Sequence, residues 1–191
     1  MVQELYNKFV STGFGKLNEQ SARHMISLYD YNYEKYLPED KQAKILDIGC
    51  GMGQFLEFLG RKGYDNFSGV DVSPEAIKFC QDKGIEKVRL ISDLKQFLIS
   101  TDLCDLIVLN DVIEHFEKEE VTGILKLIHQ KLKYNGQVII KTGNMASLVG
   151  LRIRHSDFTH YLGFTEYSLS QVLIFSNFSD ILIGQFTFPK N

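Results

Sequence analysis

The chain has 191 residues, of which 44% are apolar and 24% are charged, and its formal net charge is -3. This length and composition predict one globular domain that buries its core without disulfides or metals, and the slight acidic excess gives no electrostatic reason to bind nucleic acid. The N-terminus lacks an apolar signal segment, no apolar run is long enough to cross a bilayer, and the three cysteines match no zinc signature, so we expect a cytoplasmic protein with no membrane partner.

Residues 1–43 are polar and rich in tyrosine, with four tyrosines between positions 29 and 36. This segment predicts one or two helices that form a lead-in or lid and not a separate domain. In residues 44–191, short apolar runs alternate with amphipathic stretches, which predicts the ligand-binding domain.

Five apolar runs in the middle of the chain predict strands at 43–49, 66–73, 86–93, 105–111 and 136–143. Amphipathic stretches predict helices at 54–63, 73–84, 117–134 and 165–177, and a last strand is predicted at 180–188. Ser73 and Thr165 are predicted N-caps. When strands alternate with helices along the chain, the strands pair in parallel and each helix forms a right-handed crossover between two of them. We therefore predict a three-layer α/β/α sandwich with a doubly wound, mostly parallel sheet.

In such a sheet a ligand binds beyond the carboxyl ends of the strands. There, Asp47 ends the first predicted strand, and Gly49, Gly51 and Gly53 follow it. A dinucleotide fingerprint would need a glycine at position 54, where Gln54 stands, and a phosphate-binding P-loop would need a lysine that is absent. NAD is not excluded, but Asp47 would repel a pyrophosphate and suits a cationic or neutral ligand.

A second acid, Asp71, ends the second predicted strand. A carboxylate at that position can hold the two hydroxyls of a ribose. Because NAD would use it in the same way, Asp71 indicates a nucleoside without naming the cofactor.

The motifs "DIGCGMG", "GVDVS", "LISDL" and "LIVLNDVIEHF" follow one another between residues 44 and 178. Together they resemble the class I S-adenosylmethionine-dependent methyltransferases, which have a Rossmann-like fold. The resemblance implies S-adenosylmethionine (SAM) as cofactor and S-adenosylhomocysteine (SAH) as its product. It implies that the glycine loop takes the methionine part, and that the residues after the second, third and fourth strands take the ribose, the adenine and the methionine amine. The implied cofactor-binding residues are Asp47, Gly49, Cys50, Gly51, Gly53, Asp71, Val72, Asp93, Leu94 and Asn110, with Cys50 as a space-filling neighbour and not a reactive thiol.

Methyl transfer to an alcohol needs a base close to the hydroxyl. One candidate base is His115, which lies one turn past the fourth strand, where the resemblance implies a position that lines the pocket or contacts the cofactor. Residues 150–166 connect the fifth strand to the next helix, and in the family this connection covers the acceptor. Within it we assign His160 as the base or an acceptor ligand, and Asp157 as the residue that orients it.

The same connection holds three more candidate acceptor-binding residues, Arg152, Arg154 and His155. The two arginines could clamp a phosphate or carboxylate of the acceptor, or they could be a solvated cationic loop. His155, Asp157 and His160 could together hold a metal ion, but their spacing matches no standard zinc pattern, so no metal is predicted.

The phrase "DFTHYLGFT" at residues 157–165 resembles bacterial small-molecule methyltransferases of polysaccharide and natural-product pathways. This resemblance implies an O-methyltransferase of a small polar acceptor, such as a sugar, a nucleotide sugar or a polysaccharide precursor. Two alternatives stay open: an N-methyltransferase of a small metabolite, and a SAM-binding regulatory protein without catalysis. Gln54 and Asp47 oppose a nicotinamide enzyme, and the few basic residues near the N-terminal tyrosines argue against a nucleic-acid substrate.

The sequence departs from the family at its end. Class I methyltransferases usually finish with two strands, the last of them antiparallel, whereas three residues follow the run 180–188. We therefore expect the final antiparallel strand to be missing. Either the chain is a truncated version of a longer protein, or a partner, such as the second copy in a homodimer, completes the sheet.

Overall fold

The computed structural model of the chain describes residues 2–8, 10–11 and 19–187. Two helices precede the sheet, α1 (Val2–Asn7) and α2 (Glu19–Tyr33), as the sequence predicts. The elements that follow are β1 (Ile45–Ile48), α3 (Gln54–Arg61), β2 (Phe67–Asp71), α4 (Pro74–Asp82), β3 (Val88–Leu90), α5 (Leu94–Ser100), β4 (Cys104–Asn110), α6 (Lys118–Gln130), β5 (Leu132–Lys141), α7 (Gly150–Arg154) and α8 (Glu166–Phe175).

The five strands form one parallel sheet in the order β3-β2-β1-β4-β5. This confirms the predicted Rossmann-like α/β architecture, and the described residues contain no antiparallel strand. The strand order reverses between β1 and β4, because β2 and β3 extend the sheet on one side and β5 on the other. The carboxyl ends of β1 and β4 therefore border the crevice in which open α/β sheets bind their ligands.

Apolar burial explains why these elements form a layered structure. Strand β1 is buried along its whole length and β4 along most of it, as expected for central parallel strands. Helices α2 and α3 pack on one face of the sheet, and α5, α6 and α8 pack on the other. The helices bury apolar stripes, for example Val121, Ile124, Leu125 and Ile128 of α6. Among the described residues no helix is long and apolar enough to span a bilayer.

The structure differs from the predicted elements at four places, the last of which is α7, a short helix inside the predicted connection 150–166. Helix α5 was not predicted, although Leu94, Phe97 and Leu98 have the spacing of a short amphipathic helix. Strand β5 begins before the predicted turn at residues 134–136, which lies inside the strand as a bulge with Asn135 at a φ of 62°.

The third difference is the predicted last strand, since residues 181–187 pair with no other strand and position 188 lies outside the described residues. This segment reaches α2 instead, where Asn32 donates its side-chain N–H to the Thr187 carbonyl at 2.9 Å. The Phe186 ring packs against Tyr29 and Tyr33 of α2. The run therefore packs Phe186 against α2 and does not add a strand to the sheet.

Candidate functional site

The loop between β1 and α3 has left-handed backbone at all three of its glycines, with φ of 70° at Gly49, 51° at Gly51 and 79° at Gly53. A Cβ at Gly49 would lie 2.4 Å from Val112 Cγ2, so close packing requires glycine there. A Cβ at Gly51 would meet no described atom within 4 Å. The loop therefore leaves open space beside Gly51, where a ligand can approach the main chain.

Asp71 ends β2 beside this loop. Its Oδ2 accepts a hydrogen bond from the Gly51 N–H and its Oδ1 accepts one from the Ser73 N–H, both at 2.8 Å. Burial raises the pKa of this carboxyl, and the main-chain hydrogen bonds act in the opposite direction. Because a carboxylate offers about four lone-pair sites, acceptor capacity remains for the hydroxyls of a ribose.

Two buried polar atoms at the carboxyl ends of β1 and β4 have no hydrogen-bond partner among the described residues, Asp47 Oδ1 and Asn110 Nδ2. Asp47 is 1% exposed, and burial, together with the nearby Asp71, raises its pKa well above the usual value. Asn110 Oδ1 already accepts the Tyr33 hydroxyl at 2.6 Å. Such orphaned groups reduce stability unless a ligand pairs with them. An α-amino acid group has both an ammonium donor and a carboxylate acceptor, so the methionine part of SAM fits this pair.

Asp93 and Cys50 are two further residues with a predicted place at the cofactor. Asp93 is the N-cap of α5, and its Oδ1 accepts the Gln96 N–H at 3.1 Å, which leaves Oδ2 for an adenine amino group. Cys50 is buried, and its hydrogen bond with Cys80 and then its burial raise the pKa of its thiol. A protonated thiol is a poor nucleophile, which fits the space-filling role. The binding roles themselves stay predictions.

The three candidate catalytic residues, His115, Asp157 and His160, come together in space. His115 ends a short 3-10 turn after β4, and the other two lie in the loop between α7 and α8. One potential ligand atom of each residue lies within 4.8 Å of those of the others, and the imidazole centroids are 4.7 Å apart. We call these three residues the His-Asp-His cluster. Burial and the nearby His160 lower the pKa of His115, which favours its neutral form at pH 7.

Hydrogen bonds with loop atoms fix the orientation of the cluster. The Thr159 hydroxyl donates to Asp157 Oδ1 at 2.7 Å, and the Thr159 N–H donates to the same oxygen at 2.8 Å. His115 Nδ1 lies 2.9 Å from the Thr159 hydroxyl and 3.2 Å from the Thr159 carbonyl oxygen. His160 Nδ1 lies 3.2 Å from the carbonyl oxygen of Ile153. The Ile153 carbonyl therefore orients His160, whereas Asp157, expected in that role, is linked through Thr159 to His115.

The predicted acceptor-binding residues lie outside the His-Asp-His cluster. Arg154 donates to the carbonyl oxygens of His160 and Tyr161, the second at 2.6 Å, so its guanidinium supports the loop and is not a free anion clamp. Arg152 and His155 are exposed. His155 is thus absent from the metal-ligand set considered in the sequence, and His115 takes its place.

Glu114 is a functional candidate that the sequence hypotheses missed. It is 5% exposed, its Oε2 has no partner among the described residues, and burial raises its pKa to about 7. Its carbonyl accepts the N–H groups of Tyr161 and Leu162, both at 2.9 Å, so it joins the turn after β4 to the acceptor loop. Tyr6 of α1, whose hydroxyl lies 3.3 Å from His115 Nδ1, was also missed. Nothing in the sequence near Tyr6 signals that contact.

Known proteins with similar sequences or folds are methyltransferases. A family model described as "Methyltransferase domain" matches residues 20–177. A SAM dependent methyltransferase from Archaeoglobus fulgidus is 31% identical with a TM-score of 0.71, and the match covers 85% of this chain and 73% of that one. The plantazolicin methyltransferase in complex with SAH shares the fold at 23% identity, with a TM-score of 0.66 over 91% of this chain and 74% of that one.

Among curated proteins, the ubiquinone biosynthesis O-methyltransferase of Rickettsia conorii is 30% identical over 116 residues. The match covers 59% of this chain, but only 39% of that protein. The chain thus spans less than half of this relative's length. The family model and the archaeal structure, in contrast, each match most of the chain. The chain therefore belongs to the class I S-adenosylmethionine-dependent methyltransferases.

Proposed function

We propose that the protein transfers the methyl group of SAM to an oxygen atom of a small polar acceptor. SAM supplies a methyl group that is electrophilic because it is bonded to a sulfonium. The residues of the chain hold this cofactor in the crevice, with Asp47 and Asn110 toward the amino acid group and Asp71 toward the ribose. Their orphaned or remaining hydrogen-bond capacity supports these roles.

The observation on which the proposal chiefly rests is the His-Asp-His cluster at the same side of the sheet as the cofactor crevice. An alcohol must lose its proton for efficient methylation, because its own pKa is far above 7, whereas an amine needs only to be neutral. Two adjacent imidazoles with a carboxylate nearby can accept that proton, and we expect His160 to be the main proton acceptor. The cluster therefore favours oxygen over nitrogen as the acceptor atom.

For the acceptor we propose a sugar, a nucleotide sugar or a polysaccharide precursor. The loop over the site carries polar side chains, and Arg152 and His155 are exposed at its rim. Exposed cationic and imidazole groups suit hydroxyl and phosphate groups of such an acceptor.

We also propose that residues 1–43 act as a lid over this site. Tyr6 of α1 contacts His115, and Glu75 of α4 accepts the N–H groups of Val10 and Ser11, both at 3.0 Å. The N-terminal segment thus reaches from the cofactor side to the acceptor side.

The first prediction tests the reaction through His160. His160→Ala should leave the dissociation constant of SAM within about twofold of the wild type, measured by calorimetry. The release of SAH with a panel of sugars and nucleotide sugars should fall by roughly 100-fold or more, because removal of a proton acceptor costs at least that much. His129→Ala is the matched control, because His129 lies at the end of α6 and packs on Phe178.

Mass spectrometry of the product separates the alternatives. An N-methyl product, formed equally well by the wild type and by His160→Ala, would contradict the oxygen assignment. Tight SAM binding without SAH release from any sugar, nucleotide sugar, alcohol or amine would favour a regulatory protein and contradict the proposed reaction.

A further inference from the structure

The His-Asp-His cluster has the composition of a site for a divalent cation. It offers two imidazole nitrogens and one carboxylate oxygen, and one such atom from each residue lies within 4.8 Å of the others. Three protein ligands of this kind, with further positions open, are characteristic of catalytic sites for zinc and other first-row metals. The residues come from two separate segments, the turn after β4 and the loop after α7, so the site would tie these segments together.

The hydrogen bonds around the cluster indicate which atoms are free to bind a cation. Nδ1 of His115 and Nδ1 of His160 each face a main-chain carbonyl oxygen, that of Thr159 and that of Ile153. A carbonyl oxygen only accepts, so the tautomer in which each Nδ1 carries the proton satisfies both contacts and leaves the two Nε2 lone pairs for a cation. Metal-binding histidines typically have this second hydrogen bond.

Hydrogen bonds also orient the carboxylate of Asp157. Its Oδ1 accepts two hydrogen bonds from Thr159, which hold the carboxylate in place and leave Oδ2 for a further partner. Each of the three ligand residues is therefore oriented by loop atoms before a cation arrives.

We propose that His115, Asp157 and His160 bind one divalent first-row cation, and that the open positions take two adjacent oxygens of the acceptor. Two nitrogen ligands favour Zn²⁺ or Co²⁺ over Mg²⁺, which prefers oxygen. This inference rests on the proposed function but changes the role of His160, because an imidazole that binds a cation through Nε2 has no lone pair left to accept the proton of the acceptor. It also narrows the acceptor to a chelating one, a vicinal diol or a hydroxy acid. The bound cation lowers the pKa of one acceptor hydroxyl. Its proton passes to water, and the oxygen electron pair forms the bond to the methyl carbon while the carbon–sulfur bonding pair stays with sulfur.

The test is direct binding of Co²⁺ to the full chain after treatment with EDTA and dialysis. Absorption in the visible range reports the coordination of Co²⁺, and the thiolate band in the ultraviolet reports whether cysteine takes part. We expect one equivalent to bind to the wild type without a thiolate band. His160→Ala and Asp157→Asn should weaken Co²⁺ binding by roughly 100-fold. Loss of a residue that only supports a metal ligand costs up to about that much, and these two residues are proposed to be ligands themselves. Asp157→Asn preserves an oxygen for Thr159 and so separates the loss of charge from misfolding.

His155→Ala is the control for metal binding, since His155 lies in the same loop but is exposed and outside the cluster. A loss of Co²⁺ affinity in His155→Ala equal to that in His160→Ala would overturn the proposed ligand set. Failure of the wild type to bind Co²⁺ would overturn the site itself. If SAM still binds and SAH is still released after EDTA treatment, the cation proposal is wrong and the proposed function stands. If no acceptor yields SAH while Co²⁺ binds as expected, the proposed function is wrong.

Discussion

The buried polar atoms at the crevice differ in how many hydrogen bonds they receive from the described residues. Asp71 receives main-chain hydrogen bonds at both oxygens, whereas Asp47 Oδ1 and Asn110 Nδ2 receive none from the described residues. A buried group without a partner lowers the stability of the free protein, and a ligand that supplies the partner restores it. We therefore expect Asp47 and Asn110 to couple cofactor binding to folding, whereas Asp71 already supports the glycine loop through the Gly51 N–H.

A prediction at this scale concerns Asp71. Asp71→Ala removes the acceptor for the ribose hydroxyls and for the Gly51 N–H. SAM affinity measured by calorimetry should fall by roughly 1–3 kcal/mol, the usual cost of losing charged hydrogen bonds. Asp82→Ala removes the same charge from an exposed position on α4, where Asp82 pairs with Lys78, and should leave the affinity unchanged. Equal dissociation constants for Asp71→Ala and the wild type would contradict the assignment of Asp71 as a cofactor ligand.

Residues at strand ends could be predicted from sequence because their position follows from local patterns. Asp47 and Asp71 each close an apolar run, and parallel strands bring such ends to one edge. The partners of the acceptor loop could not be predicted in the same way. Arg154 donates to carbonyls of its own loop, and Thr159 links Asp157 to His115, which is distant in sequence. Such contacts depend on the path of the loop, which has no periodicity.

The glycine loop shows how one element combines packing with ligand binding. Gly49→Ala places a Cβ 2.4 Å from Val112 Cγ2 in left-handed backbone, and Gly51→Ala adds a Cβ in open space with only the backbone strain. In urea unfolding, Gly49→Ala should lose roughly 2–4 kcal/mol from overpacking and strain combined, and Gly51→Ala about 1–2 kcal/mol from strain alone. Among the folded variants, the loss of SAM affinity should be larger for Gly51→Ala than for Gly49→Ala, because the methyl group of Gly51→Ala occupies the space left for the ligand.

A double substitution checks the cause of the Gly49 effect. Val112→Ala removes the clashing methyl group, so adding it to Gly49→Ala should recover part of the lost stability, whereas alone it should destabilise. Strictly additive losses in the double variant would show that the Val112 contact is not the cause.

At the level of elements, the sequence predicted those whose periodicity is long enough to be distinctive. Helix α6 buries four residues of one stripe and was predicted, but α5 has seven residues and a single fully buried side chain, Leu98. The run at 180–188 has the composition of a strand. A strand also requires a neighbour with free hydrogen-bonding groups in register, which composition does not reveal. Phe186 packs on α2 instead.

For the whole molecule, the sheet order and the location of the crevice could be anticipated because alternating strands and helices allow few topologies. The arrangement of the N-terminal segment could not be anticipated. Tyr6 of α1 contacts His115, and Ser11 donates its hydroxyl to Glu75 of α4. These contacts join single polar side chains, which leave no apolar pattern in the sequence.

The pH dependence of folding is a property of the whole molecule, and Glu114 should dominate one part of it. Its pKa is about 7 in the folded protein and 4.5 in a model peptide, because burial penalises the charged form. The folded state therefore binds this proton more tightly than the unfolded state. The stability from this difference is fully present below pH 4.5 and is lost as the pH rises through 7, and it amounts to up to about 3 kcal/mol.

Glu114→Gln removes the titration while preserving the size of the side chain. We expect the wild type to lose stability relative to Glu114→Gln as the pH rises from 5 to 8, measured by urea unfolding at a series of pH values. Asp47, whose pKa is also raised, is unchanged in both proteins and should cancel in the difference. At pH 8 the variant should be the more stable protein, because it carries no buried charge at this position. Parallel stability curves for the two proteins would mean that water or a relaxed structure solvates the Glu114 carboxylate, and that its orphaned Oε2 is not buried in solution.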